Sequence, residues 1–433
     1  MKSELDKIKV YTILVLYGNV SFPQKKSLTN HLYSIRDYTS HRCVFFNAYY
    51  AEMPNFIKYA HFDLIIFHTT FMVIRWSDRQ KFVRIMKKIS VLKNIISTKI
   101  AIPQDEYINT DLMNEFINEF NVEHVFTVSP FSELDKIYPQ VDRSKVQFHS
   151  VLTGYLSPQD LMLIERLRKD IPVKTIDIGY RAEHAPAWWG RQGLLKVKIA
   201  EIFKERAKDF LVDISTRPED TFFGNDWYAF LLKCKFTIGV EGGSSLLDEN
   251  GDLKRKTIDY LKKCLDCGFK PDFYDIEKNI FPNRDGEISV VALSPRHLEA
   301  CATKTCQVLI EGRYNGILEP NIHYIELKSD FSNLDLVLEK LKDEKLRISM
   351  AERAYQDIVM SQKYAYASFV SDLILKSLGN KKPYKRTFLT EFVCVYISIL
   401  DFISWILVYF RNILLKYLPY QLVANIRRWR KIG

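Results

Sequence analysis

The chain has 433 residues, 47% of them hydrophobic and 26% charged, with a net charge of +10. That is too long for one ordinary domain of roughly 150 residues, and too apolar for a disordered chain. Residues 377–433 hold ten Lys/Arg against two acids, Glu391 and Asp401, and so carry eight of the ten net charges; the other 376 residues are nearly neutral and lack the basic stripe of a nucleic-acid binder.

The N-terminus, M-K-S-E-L-D-K-I-K, is charged, and the apolar run Tyr11–Tyr17 is short and has no small-residue cleavage site. It reads as a first strand and not as a signal peptide. The seven cysteines are scattered and odd in number, and Cys264 and Cys267 form a lone C-x-x-C without histidine companions. Neither a disulfide framework nor a metal site is expected, and a cytoplasmic protein is.

Strands are predicted at Val10–Tyr17, Cys43–Asn47, Asp63–His68, Lys99–Ile102, His124–Val128 and Val146–Leu152, with amphipathic helices at Arg79–Ile95 and Asp111–Phe120 between them. The alternation argues for a parallel sheet covered on both faces. Leu156–Pro172 reads as a linker. The pattern then resumes with strands Val173–Ile178, Lys235–Val240, Gln307–Ile310 and His323–Leu327, and helices Gly193–Arg206, Leu334–Leu341 and Glu344–Ser361. The expected organisation is an α/β chain of two Rossmann-like domains facing a cleft, 1–160 and 161–376, followed by a tail, 377–433.

In the tail, Phe392–Phe410 has 16 apolar residues of 19, about the shortest length that spans a bilayer. On a helical wheel Glu391, Ser398, Asp401, Ser404, Arg411, Asn412 and Lys416 share one side. Such a helix lies in the membrane interface. A second segment, Tyr420–Ile432, ends in a basic cluster with Trp429, which suits an anionic lipid surface. A spanning helix and a buried terminal helix are the alternatives.

Ligands of open α/β sheets sit outside the carboxyl ends of the strands, so the strand-to-loop transitions hold the candidate residues. Glu241, Gly242, Gly243, Ser244 and Ser245 follow strand Lys235–Val240. Paired glycines let a backbone approach a ligand, and the hydroxyls and carboxylate offer contacts to phosphate or sugar; a tight turn is the plain alternative. Arg181, Arg191 and Lys196 open the second domain as a basic set suited to a departing diphosphate. Trp188 and Trp189 beside them suit either stacking on a base or sugar or packing of the interdomain face, with packing the favoured reading. Asp105 and Glu106 follow strand Lys99–Ile102 and are candidates for a general base. His68, ending another strand, is a further candidate, though a lone histidine there is more often structural.

The segment Ser294–Pro320, S-P-R-H-L-E-A-C-A-T-K-T-C-Q-V-L-I-E-G-R-Y-N-G-I-L-E-P, resembles the donor-site region of GT-B glycosyltransferases of the retaining family-four type and their spore-maturation-like relatives. Arg296, Glu299 and Ala300, the buried run Val308–Ile310, and the loop with Gly312, Tyr314 and Gly316 match that pattern in order. The resemblance implies that Glu299 holds the ribose of a nucleotide sugar, and physically a carboxylate suits a diol. Taken alone, Glu299 fits a helix-surface carboxylate equally well. Val291 stands where the family has a second glutamate. No Asp-x-Asp occurs, so no metal or other cofactor is expected.

The resemblance implies a retaining glycosyltransferase of hexosyltransferase-like kind. It implies a UDP- or GDP-linked sugar and a glycan or lipid-linked acceptor, in cell-surface polysaccharide or lipopolysaccharide synthesis. With the basic tail, the expected place is peripheral, at the inner face of the cytoplasmic membrane. A nucleotide-sugar epimerase and a non-catalytic glycan-binding scaffold are the competing readings.

Overall fold

A computed structural model describes residues 9–19 and 26–417. The basic segment Tyr420–Ile432 lies outside them.

The first sheet contains β1 (Thr12–Tyr17), β2 (Arg42–Asn47), β3 (Leu64–Phe67), β4 (Thr98–Ala101), β5 (His124–Thr127) and β6 (Gln147–Ser150). All pairings are parallel, in the order β2-β1-β3-β4-β5-β6. Every residue of β1 is buried, as expected of a parallel strand with helices on both faces. The second sheet contains β7 (Ile176–Arg181), β8 (Val212–Ser215), β9 (Cys234–Gly239), β12 (Cys306–Ile310) and β13 (Tyr324–Leu327), parallel in the order β13-β12-β9-β7-β8. Both sheets reverse direction of winding beside their first strand, between β1 and β3 and between β7 and β9. The architecture is GT-B: two Rossmann-like domains facing a cleft.

Three departures from the sequence-based expectation matter. The expected linker Leu156–Pro172 is mostly a helix, Pro158–Asp170, with proline in its first turn and Ser157 capping Asp160 N at 3.0 Å. A Ser-Pro pair opening a helix signals this start.

The chain between β9 and β12 is no simple loop. It forms strands β10 (Gly242–Ser244) and β11 (Val290–Ala292), paired antiparallel, with two helices between them, Asp252–Asp266 and Phe273–Ile280, and a third, Pro295–Ala302, after β11. This excursion docks on the first domain. Leu247, Ile288 and Val290 join that domain's core. Backbone bonds Asn109 N to Asp248 O (2.7 Å) and Asp248 N to Tyr107 O (2.8 Å) tie the two together.

After the second sheet the chain crosses back. The helix Tyr366–Leu378, assigned by sequence largely to the second domain, packs Tyr366, Phe369, Val370 and Leu373 against Ile13, Val15 and Ile66 of the first sheet. The C-terminal helix Phe388–Tyr417 then runs along the edge strand β2. Its polar side is turned toward the protein, where the wheel pattern predicts water. Glu391 pairs with Arg42, the Tyr17 hydroxyl donates to Asp401 Oδ1 at 2.7 Å, and Arg411 donates to the Tyr50 hydroxyl at 3.2 Å. Val393, Cys394 and Ile397 are buried in the first domain's core. Covering an edge strand in this way removes its unpaired backbone from solvent.

Candidate functional site

The chemistry of an open α/β sheet belongs at its reversal point, and here a cavity opens beside the β7/β9 reversal. It has a volume of about 640 Å³ and lies between the domains. Its walls include Tyr180, Lys196, Gly242, Arg296 and His297 of the second domain and Trp76 of the first. A smaller cavity of about 250 Å³ adjoins it, sharing Arg181, Trp227 and Arg296 and reaching Glu299, with Lys26 and Asn30 on the first-domain side.

Glu299 sits on the short helix Pro295–Ala302, which delivers it to the smaller cavity. The indole Nε1 of Trp227 donates to its Oε2 at 2.7 Å. Burial pushes the Glu299 carboxyl above its ordinary range, while the Trp227 bond and the Arg296 charge oppose that rise. The Arg296 guanidinium lies 5.2 Å from the Trp227 ring centre and donates to the carbonyl of Arg181. Trp227 is the residue sequence reasoning missed. Its helix, Asn225–Lys233, falls in a stretch without a recognisable motif.

In the first domain, Asp105 stands just past β4 with a left-handed φ of 51°. A non-glycine residue held there is strained, and such strain concentrates at functional positions. Arg75, fully buried, holds it in place by donating to the carbonyls of Gln104 (3.2 Å) and Asp105 (2.9 Å). The Tyr107 hydroxyl donates to Asp105 Oδ1 at 3.1 Å. Burial raises the Asp105 pKa, while Tyr107, Arg75 and, from the other domain, Lys196 pull it down.

Several sequence candidates are occupied elsewhere. Glu106 is fully buried; it accepts from Thr127 Oγ1 at 2.7 and 2.9 Å, from Val128 N at 2.9 Å and from the Tyr138 hydroxyl. It braces the strand ends and has no route to a substrate. His68 is likewise sealed: it caps the following helical turn through Thr70 N at 3.2 Å and meets His31 at 2.8 Å. Burial drives its pKa well down, which keeps it neutral.

Arg181 spends its donors on the carbonyls of Tyr180, Asp213 and Asp220 and on the Asp213 carboxylate. Arg191 points to Glu277 and Asp285 on the excursion. Of that basic set, Lys196 lines the cleft, its Nζ 5.3 Å from the Trp189 ring centre.

The glycine-serine run serves structure more than ligand. Gly243 has φ 138°, and a Cβ there would lie 1.9 Å from Val290 O, so only glycine permits the β10–β11 pairing. Ser244 is fully buried and donates to Leu246 O at 2.8 Å. Ser245 Oγ accepts from Gln192 N at 3.3 Å, and Asp285 Oδ1 accepts from Arg191 N at 2.9 Å. Those two acceptors occupy the amino end of the helix Gly190–Arg206, where an anion would otherwise be favoured. Glu241 accepts from Tyr314 N (2.7 Å) and Arg313 N (3.1 Å), fixing the loop after β12. A Cβ at Gly312 would lie 2.5 Å from the Glu241 carboxylate, so a larger residue there would displace that side chain. Tyr314 is a fully buried core residue whose hydroxyl donates to Ile310 O. Gly316 has φ 68° in the same loop and open space around it.

No protein-family model matches the chain, and no curated protein does. Among solved structures, HepE from Anabaena in complex with UDP and glucose is similar, at 12% identity and a TM-score of 0.45, over 85% of this chain and 99% of that one. A glycosyltransferase from Rickettsia africae is similar at 11% identity and a TM-score of 0.44, over 86% and 99%. A mutant TarM of S. aureus, solved with fondaparinux, alpha-GlcNAc-glycerol and UDP, is similar at 12% identity and a TM-score of 0.39, over 72% and 54%. At that distance none of them assigns an activity to this chain.

Proposed function

We propose that the protein is a glycosyltransferase that moves a sugar from a nucleotide-sugar donor to a glycan or lipid-linked acceptor. The observation that carries this reading is the cleft itself. Lys196 and Arg296 of the second domain and Trp76 of the first line a cavity of about 640 Å³ that adjoins the pocket of Glu299. Glu299 accepts the ribose hydroxyls, and Phe222 and Phe223 beside it offer apolar surface to the base. Lys196 compensates the diphosphate as it departs as an anion. Asp105, with its raised pKa, accepts a hydrogen bond from the acceptor hydroxyl or takes its proton.

A donor carrying uracil or guanine fits this reading, as does work without a metal, since the sequence has no Asp-x-Asp. The membrane setting is supported by the C-terminal helix, in which an 18-residue window of Phe388–Leu414 reaches a mean hydropathy of 2.1 with 28% of it buried. A place at the inner face of the cytoplasmic membrane, in polysaccharide or lipopolysaccharide synthesis, is consistent with it.

Two observations favour a second reading, a glycan-binding scaffold without turnover. Trp227 already occupies one oxygen of Glu299, and Asp285 already occupies the amino end of Gly190–Arg206. Calorimetry of the full chain with UDP, GDP and ADP separates the two. Saturable binding of one of them supports the transferase, and binding of none supports the scaffold. Release of free, altered nucleotide sugar instead of glycan would point to an epimerase.

A further inference from the structure

The C-terminal helix has a second face that the described residues leave largely uncovered. Phe392, Ile399, Phe402, Phe410 and Leu414 are between 50% and 65% exposed on it. A soluble protein rarely leaves so long a run of large apolar side chains in water. The acids of the helix do not belong to this face, because Glu391 and Asp401 are both engaged inward with Arg42 and Tyr17. Just before the helix stand Lys382, Lys385 and Arg386, beside Phe388 at 88% exposure. An apolar face, free of acids and flanked by cations, is complementary to an anionic lipid surface.

The direction of the helix adds a second point. Glu391 pairs with Arg42, the first residue of β2; Asp401 binds Tyr17, the last residue of β1; and Arg411 binds Tyr50, beyond the end of β2. The helix therefore runs with the parallel strands toward their carboxyl ends, which face the cleft. From Glu391 to Arg411 it covers about 30 Å at 1.5 Å per residue. Attachment to the domain at all three points prevents lipid from surrounding it, as a spanning helix requires. Its exposed side chains instead form a strip ending beside Tyr50, at the carboxyl edge of the first sheet.

We propose that this face seats the first domain side-on in an anionic bilayer leaflet, with the carboxyl edge of the first sheet at Tyr50 held at the lipid surface. The inference extends the membrane association proposed above and does not depend on the reaction. A protein so seated meets its acceptor at the membrane surface, where the head group of an amphiphile lies beside that edge.

The test uses the full chain and vesicles of phosphatidylcholine with and without phosphatidylglycerol. Binding should require phosphatidylglycerol, and the double substitution F402D/I406D should lower it by about tenfold or more. Phe402 is 65% and Ile406 37% exposed, so a thermal melt checks that the double variant stays folded at the assay temperature. A polarity-sensitive label is placed on Tyr50→Cys or, as a control in the second domain, on Lys328→Cys, with Cys264 and Cys267 replaced by serine. It should shift to an apolar signal on vesicles at position 50 and not at 328. Unaltered binding by F402D/I406D, or a label at 50 that stays as wet as the one at 328, overturns the proposal. So does a wild-type chain that ignores vesicles and instead elutes as a dimer that F402D/I406D splits, which would make a second copy the occupant. Vesicle binding with a wet edge would overturn this seating alone and leave both the membrane association and the transferase reading standing.

Discussion

Replacing Glu299 by glutamine isolates its role as an acceptor. The side chain keeps its shape, and the amide oxygen still accepts from Trp227 Nε1, now at 2.7 Å from Oε2. The variant also removes a charge whose burial raises its pKa, so folding stability should hold or rise slightly. Binding should respond differently. A ribose diol needs acceptors, and the glutamine NH₂ offers only donors. One oxygen is already shared with the indole, so we count one charge-assisted hydrogen bond, worth about 1.5–3 kcal/mol. At about 1.4 kcal/mol per tenfold, nucleotide affinity should fall by roughly 10- to 150-fold. Calorimetry with the nucleotide that binds the wild-type chain measures the loss, and a thermal melt checks the fold. The control is Glu241→Gln, whose carboxylate accepts from Arg313 N and Tyr314 N. It should cost more stability and less affinity. Wild-type affinity in Glu299→Gln with a normal melt would refute the ribose assignment.

Other expectations rest on single contacts. Gly243→Ala places a Cβ 1.9 Å from Val290 O at φ 138°. It should destabilise the chain by about 2–4 kcal/mol, read as a lowered melting temperature, because β10 and β11 anchor the excursion that joins the domains. Asp401 has a pKa raised from 3.8 to about 6, chiefly by burial. The folded state holds that proton more tightly than the unfolded one, so its stability contribution is fullest below about pH 4 and is lost as pH rises through about 6. Asp401→Asn should remove that loss, gaining about 2–3 kcal/mol at pH 8 relative to pH 4 in denaturant titrations. An equal effect of the variant at both pH values would contradict this account of Asp401.

Much of the fold was legible from local patterning. The β-branched runs of β1 through β6 and of β9, β12 and β13 are bounded by turns and separated by amphipathic stretches, and the structure places strands on each. What stayed hidden depends on contacts distant in sequence. Gly242 and Gly243 resemble a ligand turn because nothing local shows that Val290 pairs with Ser244. Glu106 and Asp105 are indistinguishable in sequence; the fold buries one against Tyr138 and leaves the other near Lys196. In the C-terminal helix the polar stripe is visible in the sequence and its direction is not. A stripe on a wheel does not say whether water or Arg42, Tyr17 and Tyr50 will meet it. The resemblance singles out Glu299, whereas nothing local to Trp227, 72 residues away, shows that its indole will donate to that carboxylate.

The central claim is that the cleft lined by Lys196 transfers sugar, with Asp105 as the group that receives the acceptor's proton. The most direct measurement tracks labelled sugar from a panel of nucleotide sugars, incubated with full-length protein and a lipid and glycan extract, for the wild type and Asp105→Asn. The account predicts that the wild type transfers label from one donor and that Asp105→Asn loses about 10²- to 10⁴-fold of that rate while still binding the nucleotide. Transfer by Asp105→Asn at the wild-type rate, or no transfer from any donor by a wild type that binds none of the nucleotides, would contradict it.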